Sequence, residues 1–381
     1  MSDIYVAGFG ITPFARHSDK GLNDLALAAG EAALADAGIS GKDVGIGYFA
    51  NALAGRLFGD STLGQAAFAA LGINKIPVLN VEKTCTSGSS AFYLACQSVR
   101  CGEADVALVI GAEKMCVPQM GLLNSGDTDT DALLGLVPPA SFAMRAQRHM
   151  HEYGTTLAQM AQVAVKNRDH AGLNPIAQYR TPTTVDEVLS SPMIADPLTR
   201  LQSIPIADGA AAVVICNTQV AKRLGAKVRV RAAVLCSGDY LNPQSFARWQ
   251  TDYRGAVAAY EKAGIGPDEL DLVECHDAFT ISELMHYEAL GLCDAGESGA
   301  LVGSGATALG GRIPVNVSGG LLSKGHPIAA TGVAQIGEIK QQLCEQADAR
   351  QVDNARVGLA HCMGGDLAAD TKSYSLVIMT S

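Results

Sequence analysis

Val81-Glu-Lys-Thr-Cys85-Thr-Ser-Gly88-Ser-Ser-Ala-Phe92 places a cysteine where two periodicities meet. Before it, Ile76-Pro-Val-Leu-Asn-Val81 is a short apolar run that reads as a buried strand. After it, residues 87–100 carry small and apolar side chains at helical spacing and stop at Gly102. Cys85 therefore stands on a strand-to-helix turn rich in Ser and Gly. The free N–H groups and positive end of a helix favour a thiolate over a thiol. The same N–H groups can receive an oxyanion. A buried structural cysteine beside a tight turn would leave the same local pattern, and the chain has ten cysteines.

A second stretch repeats the design. Asn316-Val-Ser-Gly-Gly320-Leu-Leu-Ser-Lys-Gly325-His326-Pro-Ile-Ala-Ala-Thr-Gly332 reads as strand, Gly-rich turn and helix, with His326 at the turn. Two more reactive stretches close apolar runs: Leu272-Val-Glu-Cys275-His276-Asp277-Ala278-Phe279 and Leu359-Ala-His361-Cys362-Met363-Gly364-Gly365. Helical and strand patterns alternate in two similar copies. The first copy opens with a strand at 4–10, a helix near 24–37 and a strand at 44–49; the second opens at 227. Ala-Gly38-Ile in one is matched by Ala-Gly264-Ile in the other. Alternation of this kind implies parallel or mixed sheets covered by helices, with catalytic loops at the carboxyl ends of strands.

Composition limits the function. Of the 381 residues, 48% are hydrophobic and 17% charged, which suits a well-cored globular protein. A net charge of −10 argues against a general nucleic-acid or membrane-surface role. No apolar run approaches membrane-spanning length. The cysteines form no CxxC pair, so they read as reduced cytosolic thiols rather than a disulfide framework or a zinc site. The start, Met1-Ser-Asp-Ile-Tyr-Val-Ala, shows no leader pattern, and Ile378-Met-Thr-Ser381 is no peroxisomal address. The expected location is the cytoplasm.

The four loops together resemble the active-site signatures of the thiolase superfamily: Cys-x-Ser, Asn- or His-x-Ala-Phe, Gly-His-Pro and Cys-x-Gly, here in family order across the whole chain. The wording Arg148-His-Met-His-Glu-Tyr-Gly-Thr-Thr, with Ile194-Ala-Asp-Pro-Leu, is most similar to the sterol-carrier-protein type of thiolase, without an appended sterol-carrier domain. The resemblance implies an α/β fold: a five-layered α-β-α-β-α sandwich of two similar halves with an inserted loop domain. The expected boundaries are 1–115 plus 208–222 for the N-terminal half, 116–207 for the loop domain over coenzyme A, and 223–381 for the C-terminal half.

The resemblance further implies acyl-CoA + acetyl-CoA ⇌ 3-oxoacyl-CoA + CoA through an S-acyl cysteine. Cys85 would carry the acyl group and His326 would take its proton. His276 with His326 would donate to the enolate oxygen, and Cys362 would exchange the α-carbon proton. The N–H groups of Cys85 and Gly364 would form the second oxyanion hole. Ala278 stands where some sterol-carrier-type thiolases carry the second cysteine, and Cys275 reads as core. Residues 141–180 hold five Lys/Arg and two Asp/Glu, so Arg145 and Arg148 are candidate contacts to the phosphates of coenzyme A. CoA and acyl-CoA are expected as substrates, with no metal or other cofactor. The family expectation is a homodimer, with room for a small accessory subunit. The alternatives are a thiolase-like lyase or acyltransferase, or one subunit of a multi-component complex.

Overall fold

The structure, a computed structural model, describes residues 3–121, 129–242 and 245–381. The first half contributes strands β1 (Ile4–Ile11), β2 (Ile46–Ala50), β3 (Val78–Val81) and β4 (Val106–Glu113). A small hairpin follows, β5 (Met193–Ala195) with β6 (Leu198–Thr199), and then β7 (Gly209–Asn217). The second half contributes β8 (Val228–Cys236), β9 (Leu272–Glu274), β10 (Val357–Leu367) and β11 (Asp370–Thr380).

The internal duplication is written in the strand order, β3-β2-β4-β7-β1-β8-β11-β10-β9. Within the first half the third strand lies outermost, then second, fourth, fifth and first. The second half repeats this order outward from β8, and Val315 bridges Val273 in the place of a third strand. The directions match as well. β2 with β4 and β9 with β10 are parallel, whereas β4 with β7 and β10 with β11 are antiparallel. Among the described residues, the sheet runs from one half to the other through two residue pairs, Tyr5 with Arg229 and Val6 with Val228.

Three hydrophobic clusters give the layers. Leu25, Ala29 and Ala33 of the helix Leu22–Ala37 pack on Leu108, Ile110 and Val214 outside the first half's sheet. Ala256 and Ala259 of the helix Gln250–Ala263 pack with Leu359, Leu376 and Ile378 outside the second. The middle layer is two helices, Ser87–Cys101 and Ile328–Leu343, buried between the sheets with Phe92, Val99, Val333 and Ile336. They touch through glycine. A Cβ on Gly88 would fall 2.3 Å from the Ala329 carbonyl oxygen. This five-layered sandwich is the expected fold, and it brings the starts of the two middle helices together.

Two local expectations change. Ile76–Val81 was expected to be buried, yet β3 is the outer strand of its sheet and Leu79 is 41% exposed. No full strand precedes His326. Asn316, Gly319 and Gly320 adopt left-handed backbone, and the Asp277 carboxylate accepts the N–H groups of Leu321 and Leu322. The chain therefore coils into a π-helical turn at Gly320–Lys324 instead of extending. The insertion holds two long helices, Pro138–Tyr153 and Leu157–Gly172. Its later part holds the helix Val185–Ser190 and the β5–β6 hairpin. Residues 122–128 of the expected loop domain lie outside the described residues.

Candidate active site

The loop between β3 and the helix Ser87–Cys101 is held under strain. Thr84, a β-branched residue, sits at φ 49°, a left-handed conformation such side chains rarely adopt. Its hydroxyl meets Ser373 Oγ at 3.0 Å, and the Thr86 hydroxyl donates to the same oxygen at 2.8 Å. Ser373 in turn donates to the Gly364 carbonyl at 3.1 Å. Strand β11 thus pins the elbow against the Cys362-Met-Gly364 loop. A Cβ on Gly364 would lie 2.9 Å from the Cys85 nitrogen and 2.6 Å from Thr84 Oγ1, so only glycine lets these backbones approach.

One sulfur and two rings meet in front of this elbow. Cys85 Sγ and one ring nitrogen each of His276 and His326 lie within 4.8 Å of one another. These are also donor types that can hold a metal, but a metal there would engage the sulfur needed for acyl transfer. Cys362 completes the group. Its thiol lies 3.2 Å from the Cys85 carbonyl oxygen and 3.5 Å from His276 Nδ1. Cys275 faces elsewhere: it is fully buried, and Asn316 Nδ2 reaches its sulfur at 3.4 Å.

Hydrogen-bond logic assigns the proton on His326. The Thr331 hydroxyl donates to the Pro327 carbonyl at 3.1 Å, so it can only accept from His326 Nδ1, 2.7 Å away. His326 Nδ1 therefore carries the proton, and Nε2 keeps a lone pair to act as a base. Burial, with Lys324 adding repulsion, pushes His326 down to about 3, so its ring is neutral at physiological pH. Burial pushes the Cys85 thiol up to about 12; Glu113 adds to this and the residue's own N–H opposes it. This corrects the expected resting thiolate. Desolvation outweighs the helix end, and the resting pair is a neutral thiol and a neutral imidazole.

A kinetic signature follows from this neutral pair. Near pH 7, alkylation of Cys85 by iodoacetamide should have a pH-independent component in which His326 accepts the proton. Above about pH 9 the rate should climb as thiolate forms, without the plateau of an ordinary thiol before pH 10. His326→Ala should lose the flat component and react at least about ten-fold more slowly at pH 7. Equal rates at pH 7 would mean that His326 does not serve Cys85 as a base.

Cys85, His276, His326 and Gly364 line a cavity of about 610 Å³. Leu53, Val137, Phe142, Ile204, Phe246 and Met363 supply apolar wall, and Arg56 and Lys372 are cations on its lining. Arg145 and Arg148 are not. Arg145 is fully buried: it pairs with Asp366 at 3.5 Å, donates to the Ala369 carbonyl at 2.9 Å and stacks 4.2 Å over Trp249. Arg148 is exposed and pairs with Glu152, one turn along its helix. The expected phosphate contacts are thus replaced by a structural arginine and a surface pair. Arg145→Ala should destabilise the fold by about 3 kcal/mol, because it removes the packing of a fully buried side chain and leaves the half-buried Asp366 carboxylate without its partner. Thermal unfolding with CoA kinetics on the surviving protein checks this; an unchanged melting temperature contradicts it.

Two contributors escaped the sequence reading. Glu113 closes an otherwise apolar strand, which was the available signal. Its buried carboxylate accepts the N–H groups of Ala52, Leu53 and Ala329, tying β4 to the start of the His326 helix. Burial nonetheless pushes it up to about 7. Thr331, five residues after His326, sets that ring's tautomer; a lone threonine in a helix carries no distinguishing signal.

Residues 4–219 match the thiolase N-terminal domain, and residues 246–375 match the thiolase C-terminal domain-like family. The chain belongs to the thiolase family. Among curated thiolase relatives, it is 37% identical to the acetyl-CoA acetyltransferase of Methanothermobacter thermautotrophicus, over 96% of this chain and 97% of that protein. It is 38% identical to the benzoylsuccinyl-CoA thiolase subunit BbsB of Thauera aromatica, over 96% of each. It is 37% identical to sterol carrier protein 2 of Oryctolagus cuniculus, over 98% of this chain and 72% of that protein, so the subgroup resemblance holds. Among solved structures, an Ltp2–ChsH2(DUF35) aldolase superposes with a TM-score of 0.85 at 26% identity, covering 100% of this chain and 98% of that one. This thiolase is an acyltransferase in class. Among the described residues, no helix is long and apolar enough to cross a membrane.

Proposed function

We propose that this thiolase catalyses acyl-CoA + acetyl-CoA ⇌ 3-oxoacyl-CoA + CoA through S-acyl-Cys85. The observation that carries this reading is the meeting of two thiols, one from each half of the fold, with two neutral histidines, Cys85 and both rings lining one cavity. In the condensing direction, Cys85 sulfur attacks the thioester carbonyl carbon, and its proton passes to His326 Nε2. The carbon–sulfur bond to CoA breaks, and the leaving thiolate takes the proton of the Cys362 thiol. Cys362, now a thiolate, removes a proton from the methyl carbon of acetyl-CoA. That carbon attacks the acyl carbonyl, the Cys85–acyl bond breaks, and the Cys85 sulfur recovers its proton from His326.

Two negative oxygens need donors along this path. The His276 ring is assigned to the enolate oxygen; its Nδ1 lies 3.5 Å from Cys362, whose thiol donates to the Cys85 carbonyl. The Cys85 and Gly364 amides, pressed together at the elbow, are assigned to the tetrahedral oxygen. One such donor is worth about 10²–10³ in rate. CoA and acyl-CoA act as substrates, and no step needs a resident metal or redox cofactor. A cytoplasmic homodimer suits this reading, with β3 presenting an unpaired edge to a second copy. A small accessory subunit is compatible with it.

The test is thiolysis of a panel of 3-oxoacyl-CoAs, with mass spectrometry of the trapped enzyme. The reading requires CoA-dependent cleavage and an acyl adduct on Cys85. Cleavage without an adduct would identify a lyase instead.

A further inference from the structure

Asp252, His286 and His361 come from three separate elements, the helix Gln250–Ala263, the helix Thr280–Ala289 and β10. All three are buried, and their ligand atoms lie within 4.8 Å of one another. They surround the backbone of His276. His286 Nε2 lies 3.1 Å from the His276 carbonyl oxygen, and His286 Nδ1 lies 2.6 Å from Asp252 Oδ2. On the other side, the His276 N–H points to His361 Nδ1 at 3.4 Å. His361 Nε2 lies 3.3 Å from Asp252 Oδ1, a long contact without good hydrogen-bond alignment.

Donor and acceptor rules set the protons. A carbonyl oxygen and a carboxylate can only accept. Both ring nitrogens of His286 must therefore carry hydrogen, which makes the ring an imidazolium paired with the Asp252 carboxylate. His361 Nδ1 receives an N–H, so it holds a lone pair, and its proton sits on Nε2 facing Asp252. The surroundings agree. The Trp249 ring stacks on His286 at 5.4 Å and 21°, which suits a cation. Burial alone would raise Asp252, yet the two histidines hold it well below the usual carboxylate range. Burial lowers His361 despite Asp252, as befits a neutral ring. The donor set resembles a metal site, but neither nitrogen of His286 has a lone pair left for a metal.

We propose that Asp252, His286 and His361 are positioning residues that clamp the His276 backbone from both sides, so that its imidazole is held toward the enolate oxygen. His286 grips the carbonyl, His361 grips the amide, and Asp252 orients both rings. Of the two hydrogen-bonding sites on the His276 backbone, neither is left to vary. The kinetic role rests on the proposed thiolase reaction; the proton placement does not.

The experiment has two arms. The first is nitrogen NMR of the whole protein labelled with ¹⁵N-histidine at pH 7.5, with signals assigned by their loss in His286→Gln and His361→Gln. The expected result is protons on both nitrogens of His286 and on Nε2 only of His361. A singly protonated His286 overturns the clamp. The second arm is Asp252→Asn, whose amide keeps the hydrogen-bonding shape and withdraws the charge. Condensation kcat should fall by about ten- to a hundred-fold, with KM within two-fold and acylation of Cys85 retained. His149→Gln is the comparison. It breaks another buried His–carboxylate pair, His149 with Glu288 at 3.1 Å, and should lower the melting temperature without changing kcat. Equal kcat losses in the two variants, or none in Asp252→Asn, overturn the positioning role. A wild-type protein that forms no carbon–carbon bond would sink the proposed function alone, since the NMR arm still decides the clamp.

Discussion

Cys85→Ala should abolish both thiolysis and condensation while the protein remains folded. The expected loss is on the order of 10⁴-fold or more, because no other group can hold the acyl chain covalently. The fold should tolerate the change, since Cys85 is only partly buried and packs at the edge of a small cluster with Leu53, Met115 and Ile328. The melting temperature and circular dichroism should match wild type. Turnover above a trace in a folded variant would remove Cys85 from the role of nucleophile.

The second large effect separates the two remaining cysteines near the site. Cys362→Ala should still become acylated at Cys85, yet it should fail to make or break the carbon–carbon bond, by about 10³-fold or more. The reason is position. Cys362 lies 3.5 Å from His276 Nδ1 and against the Cys85 carbonyl, beside two residues that line the cavity. Cys275 lies in the core with Leu284, Leu359 and Asn316. Cys275→Ala should cost about 1–2 kcal/mol of stability and little rate. Mass spectrometry of the acyl-enzyme beside a condensation assay reads both variants. Condensation lost in Cys275→Ala but kept in Cys362→Ala would move the acid/base into the His276 loop.

Local pattern made much of this legible. An elbow needs small residues and a glycine where helix and strand meet, so Cys85 and His326 stand out by the composition around them. The duplication was visible because both copies must bury the same faces of the same elements. The failures share a cause. Arg145 and Arg148 look alike on a helix that reads basic, and only Asp366, more than two hundred residues on, makes one of them structural. Thiolate chemistry at Cys85 was expected from the helix end, but desolvation depends on everything packed around the sulfur.

By itself, then, the sequence determined the order of the elements, the two-copy plan, the four loops that meet at the candidate site and the assignment of Cys275 to the core. Each of these follows from spacing, turn chemistry or strand alternation, which act over a few residues. The tertiary structure alone decided the protonation states and the supports. His326 has a lone pair on Nε2 because Thr331 accepts from its other nitrogen. Glu113 ties β4 to the start of the helix that follows His326. Asp252, His286 and His361 become one group only when two helices and a strand pack together around His276. Burial and hydrogen-bond partners are properties of the packed whole, and those two quantities set which side chains here are charged.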